Sequence, residues 1–152
     1  MRVVIVDDDK ELADLLKTAL QLAFYEKAKQ LAKGQKQITE SLDVVHFGDQ
    51  KEALRFLSAD GNYIDLIFVE INSPGLNGFD FIHLCQERYK NHFGEVIVVT
   101  DRSEKKSVKQ GLEAGATDYI LKPFGPNDLK SHIFNAWQHK KNDEQHMLLE
   151  DQ

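Results

Sequence analysis

The sequence predicts an α/β domain: a doubly wound sheet of five parallel strands with helices on both faces. Three observations predict it. Short β-branched apolar runs alternate with stretches of helical periodicity five times along the chain. Three of these runs, Val3–Val6, Leu66–Val69 and Val96–Val99, are apolar at every position, as strands buried on both faces are. The chain is also long enough, at 152 residues with 41% apolar and 29% charged, for one domain with a sizeable core rather than a disordered segment. Buried strands joined by helical crossovers call for a parallel sheet covered on both sides.

The elements follow in order. Val3–Val6 is the first strand and stops at Asp7, Asp8 and Asp9. Leu12, Leu15, Leu16, Ala19, Leu20 and Ala23 then repeat at helical spacing, with Asp9 as a candidate cap. Residues 25–41 change character, with Lys27, Lys29, Lys33 and Lys36 against Glu26 and Glu40. They read as an extension of the first helix, broken at Gly34 and followed by a loop. Leu42–Phe47 is the second strand. A helix from Asp49 to Ser58 is closed by the turn residues Asp60, Gly61 and Asn62. Ile64–Ile71 is the third strand, followed by a loop with Pro74, Gly75 and Gly78 and a helix containing Phe79, Ile82, Leu84 and Cys85. Val96–Thr100 is the fourth strand, and Ser103–Ala114 a helix ended by Gly115. Tyr119–Leu121 is a short fifth strand before Lys122 and Pro123. The last helix runs from Asn127 to about Lys140, with Leu129, Ile133, Phe134 and Trp137 as its apolar stripe. The reading is one domain over 1–141 and a polar, frayed tail over 142–152.

Composition excludes several functions. A net charge of −6 argues against direct nucleic-acid binding, which wants a basic face. The single cysteine, Cys85, allows no internal disulfide and no cysteine metal cluster, and its apolar helical setting makes it core filler. His46, His83, His92, His132, His139 and His146 show no ligand spacing. The run Val3–Val6 is too short for a signal peptide or membrane span. A reducing, cytoplasmic setting with no membrane contact is expected.

In an open parallel sheet, ligands bind at the carboxyl ends of the strands, near the switch in strand order. Asp7, Asp8 and Asp9 follow the first strand, Glu70 ends the third, Thr100 ends the fourth, and Lys122 follows the fifth. Carboxylates gathered at one point repel unless a cation lies between them. Mg²⁺ suits such a site, since it takes carboxylates together with water and phosphate oxygens. A hydroxyl and an ammonium would complete a phosphoryl site, one by hydrogen bonding and the other by neutralising charge.

The strings VIVDDD, EINSPGLNG, VIVVT and DYILKPF resemble the four signatures of response-regulator receiver domains, in order and at the family's usual Glu70–Thr100 and Thr100–Lys122 spacings. The resemblance covers nearly the whole chain. It implies the strand order 2-1-3-4-5 of a flavodoxin-like receiver and a part in two-component or phosphorelay signalling. Position by position, Asp7 and Asp8 resemble the acidic pair that holds Mg²⁺, and Asn72 stands where a backbone carbonyl completes the metal site. Glu70 falls at the phospho-acceptor position, where an aspartate is usual. Thr100 and Tyr119 resemble the switch hydroxyl and aromatic, Lys122 the lysine that contacts acceptor and phosphate, and Pro123 the proline that is often cis in the family.

The departures from the family pattern shape the expected function. Glu70 places its carboxylate one methylene further out, and in-line attack on phosphorus tolerates little misplacement. The same reach brings a permanent charge toward Thr100 and Lys122, a partial imitation of a phosphorylated acceptor. A structural salt bridge to Lys122 is the plainer reading of Glu70, and the two overlap. Asp101 adds bulk and like charge after Thr100, and Arg102 can pair with either acid. The interval from Asp8 to Glu70 is long for the family, and the surplus falls in 25–41, read as a solvated extension.

The expectation is a stand-alone receiver, not an enzyme beyond residual self-phosphorylation, that works by phosphorylation-independent protein binding and holds Mg²⁺ weakly. Its partner would be a histidine kinase, a phosphotransfer protein or a downstream effector. A homodimer through the fourth helix, fifth strand and fifth helix is the corresponding self-association. The competing reading is a conventional receiver that autocatalyses phosphotransfer from a histidine kinase to Glu70. A flavin or nucleotide binder on the same sheet fits less well, because acids rather than a glycine-rich loop follow the first strand.

Overall fold

The computed structural model describes residues 1–31, 41–59, 61, 63–72, 77–101 and 105–150. Five parallel strands form one sheet: β1 (Arg2–Val6), β2 (Asp43–Phe47), β3 (Ile64–Val69), β4 (Phe93–Thr100) and β5 (Asp118–Leu121). Their order is β2-β1-β3-β4-β5, as expected. The helices are α1 (Lys10–Leu31), α2 (Gln50–Ser58), α3 (Gly78–Arg88), α4 (Lys105–Ala114) and α5 (Pro126–Glu150), with a 3-10 turn at Lys90–His92.

Side chains on a strand alternate between faces, so each apolar run feeds two cores. Val3, Ile5, Leu66, Phe68, Ile97 and Val99 pack against Leu16, Leu20, Phe24, Leu129, Ile133 and Trp137 of α1 and α5. Val4, Val6, Ile67, Val69, Val96 and Val98 pack on the other face with Ala53, Leu57, Phe81, Ile82 and Cys85 of α2 and α3. Every residue of β3 is buried, whereas the edge strands β2 and β5 have exposed positions. Trp137 stacks on Phe24 at 5.3 Å and is core, as its helical spacing indicated. Glu26 and Lys130 form an ion pair between α1 and α5, and Lys27 lies over the Phe134 ring.

The element bounds differ from the sequence reading in three informative places. β4 begins at Phe93, not Val96, because Gly94 and Glu95 interrupt the apolar run without interrupting the pairing. Gly94 suits the close approach of β3: a Cβ there would lie 2.7 Å from the Asp65 carbonyl oxygen. β3 ends at Val69 and leaves Glu70 and Ile71 beyond it. α5 continues to Glu150 through the segment expected to be a frayed tail. That segment carries Glu144, Gln145, Met147, Leu148, Leu149 and Glu150, all strong helix formers, and contains no glycine or proline to stop the helix. The extension of the first helix past Tyr25 is present as far as Leu31. Lys33, Gly34, Lys36, Glu40, Asp60, Asn62, Pro74, Gly75, Arg102 and Ser103, each given a part in the sequence reading, lie outside the described residues.

Candidate functional site

Parallel pairing aligns the strand ends. Val6 is in register with Phe47 on one side and Val69 on the other, and Thr100 with Leu121. The residues immediately following therefore share one end of the sheet. Asp7 donates its amide to the Phe47 carbonyl, Glu70 its amide to the Val6 carbonyl, and Lys122 its amide to the Thr100 carbonyl. Each bond extends a strand by one residue and fixes a functional side chain at the rim.

Lys122 is the centre of the cluster. Its Nζ lies 2.8 Å from Glu70 Oε2 and 3.3 Å from Asp7 Oδ2, and all three side chains are largely buried. The free ends of both carboxylates are held by their own loops. The Asp9 amide donates to Asp7 Oδ1 at 2.9 Å, and the Asn72 amide donates to Glu70 Oε1 at 3.0 Å. The peptide bond between Lys122 and Pro123 is cis.

The charges respond to burial and to one another. Burial pushes the Asp7 carboxyl above its ordinary value, with a further push from Glu70; the Asp9 amide and Lys122 pull it down without cancelling the rise. Burial favours the neutral form of Lys122, but the hydrogen bonds and charges of Glu70 and Asp7 outweigh it and hold the ammonium above its ordinary value. The site therefore contains one strongly held cation shared by two carboxylates.

The remaining sequence-selected residues are placed as follows. Thr100 is fully buried at the end of β4. Tyr119 on β5 is half-buried, its ring beside Gly111 of α4 and packed with the α3 side of the core. Asp8 and Asn72 are exposed at the rim, and so is Asp101. Among the described residues, no group of three or more His, Cys, Asp or Glu side chains is arranged to hold a metal ion. The donor set still suits Mg²⁺ in kind, because Asp7 and Asp8 after β1 and the Asn72 carbonyl after β3 offer hard oxygen ligands at one end of the sheet.

Two further polar residues carry no functional signal in the sequence. His46 Nε2 on β2 lies 2.7 Å from the Asp7 carbonyl oxygen and ties the edge strand to the acidic loop. Its place next to the last residue of a strand was visible, but its partner was not. Gln50, the first residue of α2, is buried with no hydrogen-bond partner for its amide group among the described residues.

The family model for the response regulator receiver domain matches residues 35–134. The chain belongs to the response regulator receiver domain family. The match begins beyond β1 and α1, and the structure supplies the strand and the acidic cluster that lie outside it. Among curated relatives, the regulatory protein VanRc of Enterococcus gallinarum is 31% identical over 132 residues, 87% of this chain and 48% of that protein. The uncharacterized transcriptional regulatory protein YrkP of Bacillus subtilis is 29% identical over 97% of this chain and 57% of its own length. The chain thus spans about half the length of the curated relatives it matches. A receiver domain structure from Clostridium thermocellum superposes with a TM-score of 0.70 at 21% identity, covering 92% of this chain and 96% of that one, which bears on fold alone. The protein is a receiver of two-component signalling. No described helix of it is long and apolar enough to cross a membrane.

Proposed function

We propose that this receiver signals without accepting a phosphoryl group, with Glu70 at the acceptor position as a built-in partial substitute for the phosphorylated residue. The observation that carries the reading is the buried bridge from Glu70 Oε2 to Lys122 Nζ at 2.8 Å. A carboxylate already paired with the site lysine, and anchored on its other oxygen by the Asn72 amide, is poorly placed for in-line attack on phosphorus. It also supplies permanently the kind of charge that a phosphoryl group would bring to Lys122. The substitute is partial, since an acyl phosphate carries more charge and more acceptor oxygens.

In this reading the protein is a binding module, not an enzyme. Asp7, Asp8 and the Asn72 carbonyl would hold Mg²⁺ weakly, and the ion would supply charge neutralisation to phosphate oxygens at the rim. Thr100 and Tyr119 couple the site to the outer surface of α4, β5 and α5. Leu112 and Leu121, both large and exposed, lie on that surface, which receives a protein partner or a second copy of the chain.

Intact mass after incubation with a small phosphoryl donor and Mg²⁺ tests the proposal. The native protein should gain no phosphate, and Glu70→Asp should gain one. Phosphate on the native protein that disappears in Glu70→Gln would make it a conventional receiver with an unusual acceptor.

A further inference from the structure

We propose that Gly111 is the seat of Tyr119: the missing side chain in α4 lets the tyrosine ring lie inward, and the volume at position 111 sets which way the ring faces. The proposal rests on the reading of Tyr119 as the aromatic that reports on the site, but its test does not depend on phosphate uptake.

Glycine is among the poorest helix formers, so a glycine inside a helix needs a reason. Backbone conformation is not the reason here, because among the described residues the glycines with positive φ are Gly61 and Gly115. Space is. Gly111 is buried in α4, one turn after the buried Ser107, so these two small residues form the inward stripe of the helix. A Cβ built on Gly111 would lie 3.5 Å from both Cδ2 and Cε2 of Tyr119 and 3.6 Å from Cε1 of Phe79. Those are ordinary contact distances, so alanine fits. Any branched side chain would need the volume that the Tyr119 ring and the Phe79 ring of α3 already fill.

The ring is therefore wedged between α3 and α4, at the point where β5 leads to Lys122. Tyr119 is paired with Val98 across the β4–β5 ladder, and its backbone amide donates to its neighbour Asp118 Oδ1. Pairing with β4 holds the strand, so in this proposal a clash at position 111 is relieved by rotation of the ring. An outward ring would cover part of the α4–β5 surface, so position 111 controls the shape that a partner meets.

Tyrosine nitration followed by peptide mass mapping reads the ring's position directly. Tyr25 and Tyr63, exposed at 61% and 53%, are internal standards. In the native protein and in Gly111→Ala, Tyr119 should be nitrated several-fold more slowly than both. In Gly111→Val it should approach their rate, to within about two-fold. Equal protection of Tyr119 in Gly111→Val overturns the proposal, and so does full exposure already in Gly111→Ala. Should the valine variant unfold, the melting temperature decides through a double-mutant comparison. Adding Tyr119→Ala should then restore much of the stability that Gly111→Val loses. An equal loss with and without the ring would show that Tyr119 does not occupy the notch.

Discussion

Lys122 holds two carboxylates at the cost of its own burial, so its removal should be felt well beyond one lost contact. Lys122→Met keeps the stem and deletes the charge, leaving Asp7 and Glu70 buried side by side without compensation. Breaking a buried pair in this way typically costs about 3–5 kcal/mol, and denaturant unfolding of the native protein and the variant should show a difference of that order. The difference should also depend on pH with a definite sign. The folded-state pKa of Lys122 is raised above the ordinary 10.5. Its contribution is therefore complete below that value and is lost as pH rises through the folded-state value. The gap between native and variant should stay level from neutral pH to near pH 10 and close above it. Cys85 gives an independent check on the core at the same scale. Burial pushes its thiol up to about 12, so it should resist thiol reagents at pH 8 until denaturant is added. Rapid labelling of the folded protein would mean that α3 does not pack as described.

At the scale of elements, the segment after β3 decides how Glu70 is presented. Gly78 opens α3 against Ile71: its amide donates to the Ile71 carbonyl, and a Cβ there would lie 2.3 Å from the Ile71 Cα. That contact is with backbone, which cannot swing aside. Gly78→Ala should therefore cost at least about 1–3 kcal/mol, the usual penalty for overpacking, and should displace the Ile71–Asn72 segment that anchors Glu70. Thermal unfolding checks the first effect; an unchanged melting temperature would mean that α3 starts elsewhere. Elements of this kind were only partly legible in the sequence. The apolar runs gave β1 and most of β3 and β4, because burial on both faces makes those runs apolar; Asp65 is the buried exception in β3, where its carboxylate accepts the Arg2 amide. The start of β4 was hidden by Gly94 and Glu95, where strand pairing rather than side-chain burial sustains the element. The end of α5 was hidden for the opposite reason: a polar stretch reads as a tail unless its helix propensity is weighed separately from its hydropathy.

For the whole molecule, parallel order brings four strand ends together, and that is why the site was legible before any geometry was known. Asp7, Glu70, Thr100 and Lys122 are distant in the chain and adjacent in space because each follows or ends a strand in the same direction. The connections between them were legible only in part. The Glu70–Lys122 bridge was expected, but nothing in the sequence says that Lys122 also reaches Asp7, that the Asn72 amide turns back onto Glu70, or that Gly111 leaves room for Tyr119. Those follow from loop closure and helix packing, which residue spacing does not encode.

In the proposed function, the charge of Glu70 rather than a phosphoryl group holds this end of the sheet in its signalling arrangement. Amide hydrogen exchange across residues 98–122, measured with and without a small phosphoryl donor and Mg²⁺, tests it most directly. The account predicts that the native protein is unchanged by the donor and that Glu70→Gln exchanges several-fold faster with or without it. Slower exchange in the native protein on adding donor, or a glutamine variant indistinguishable from it, would contradict the account.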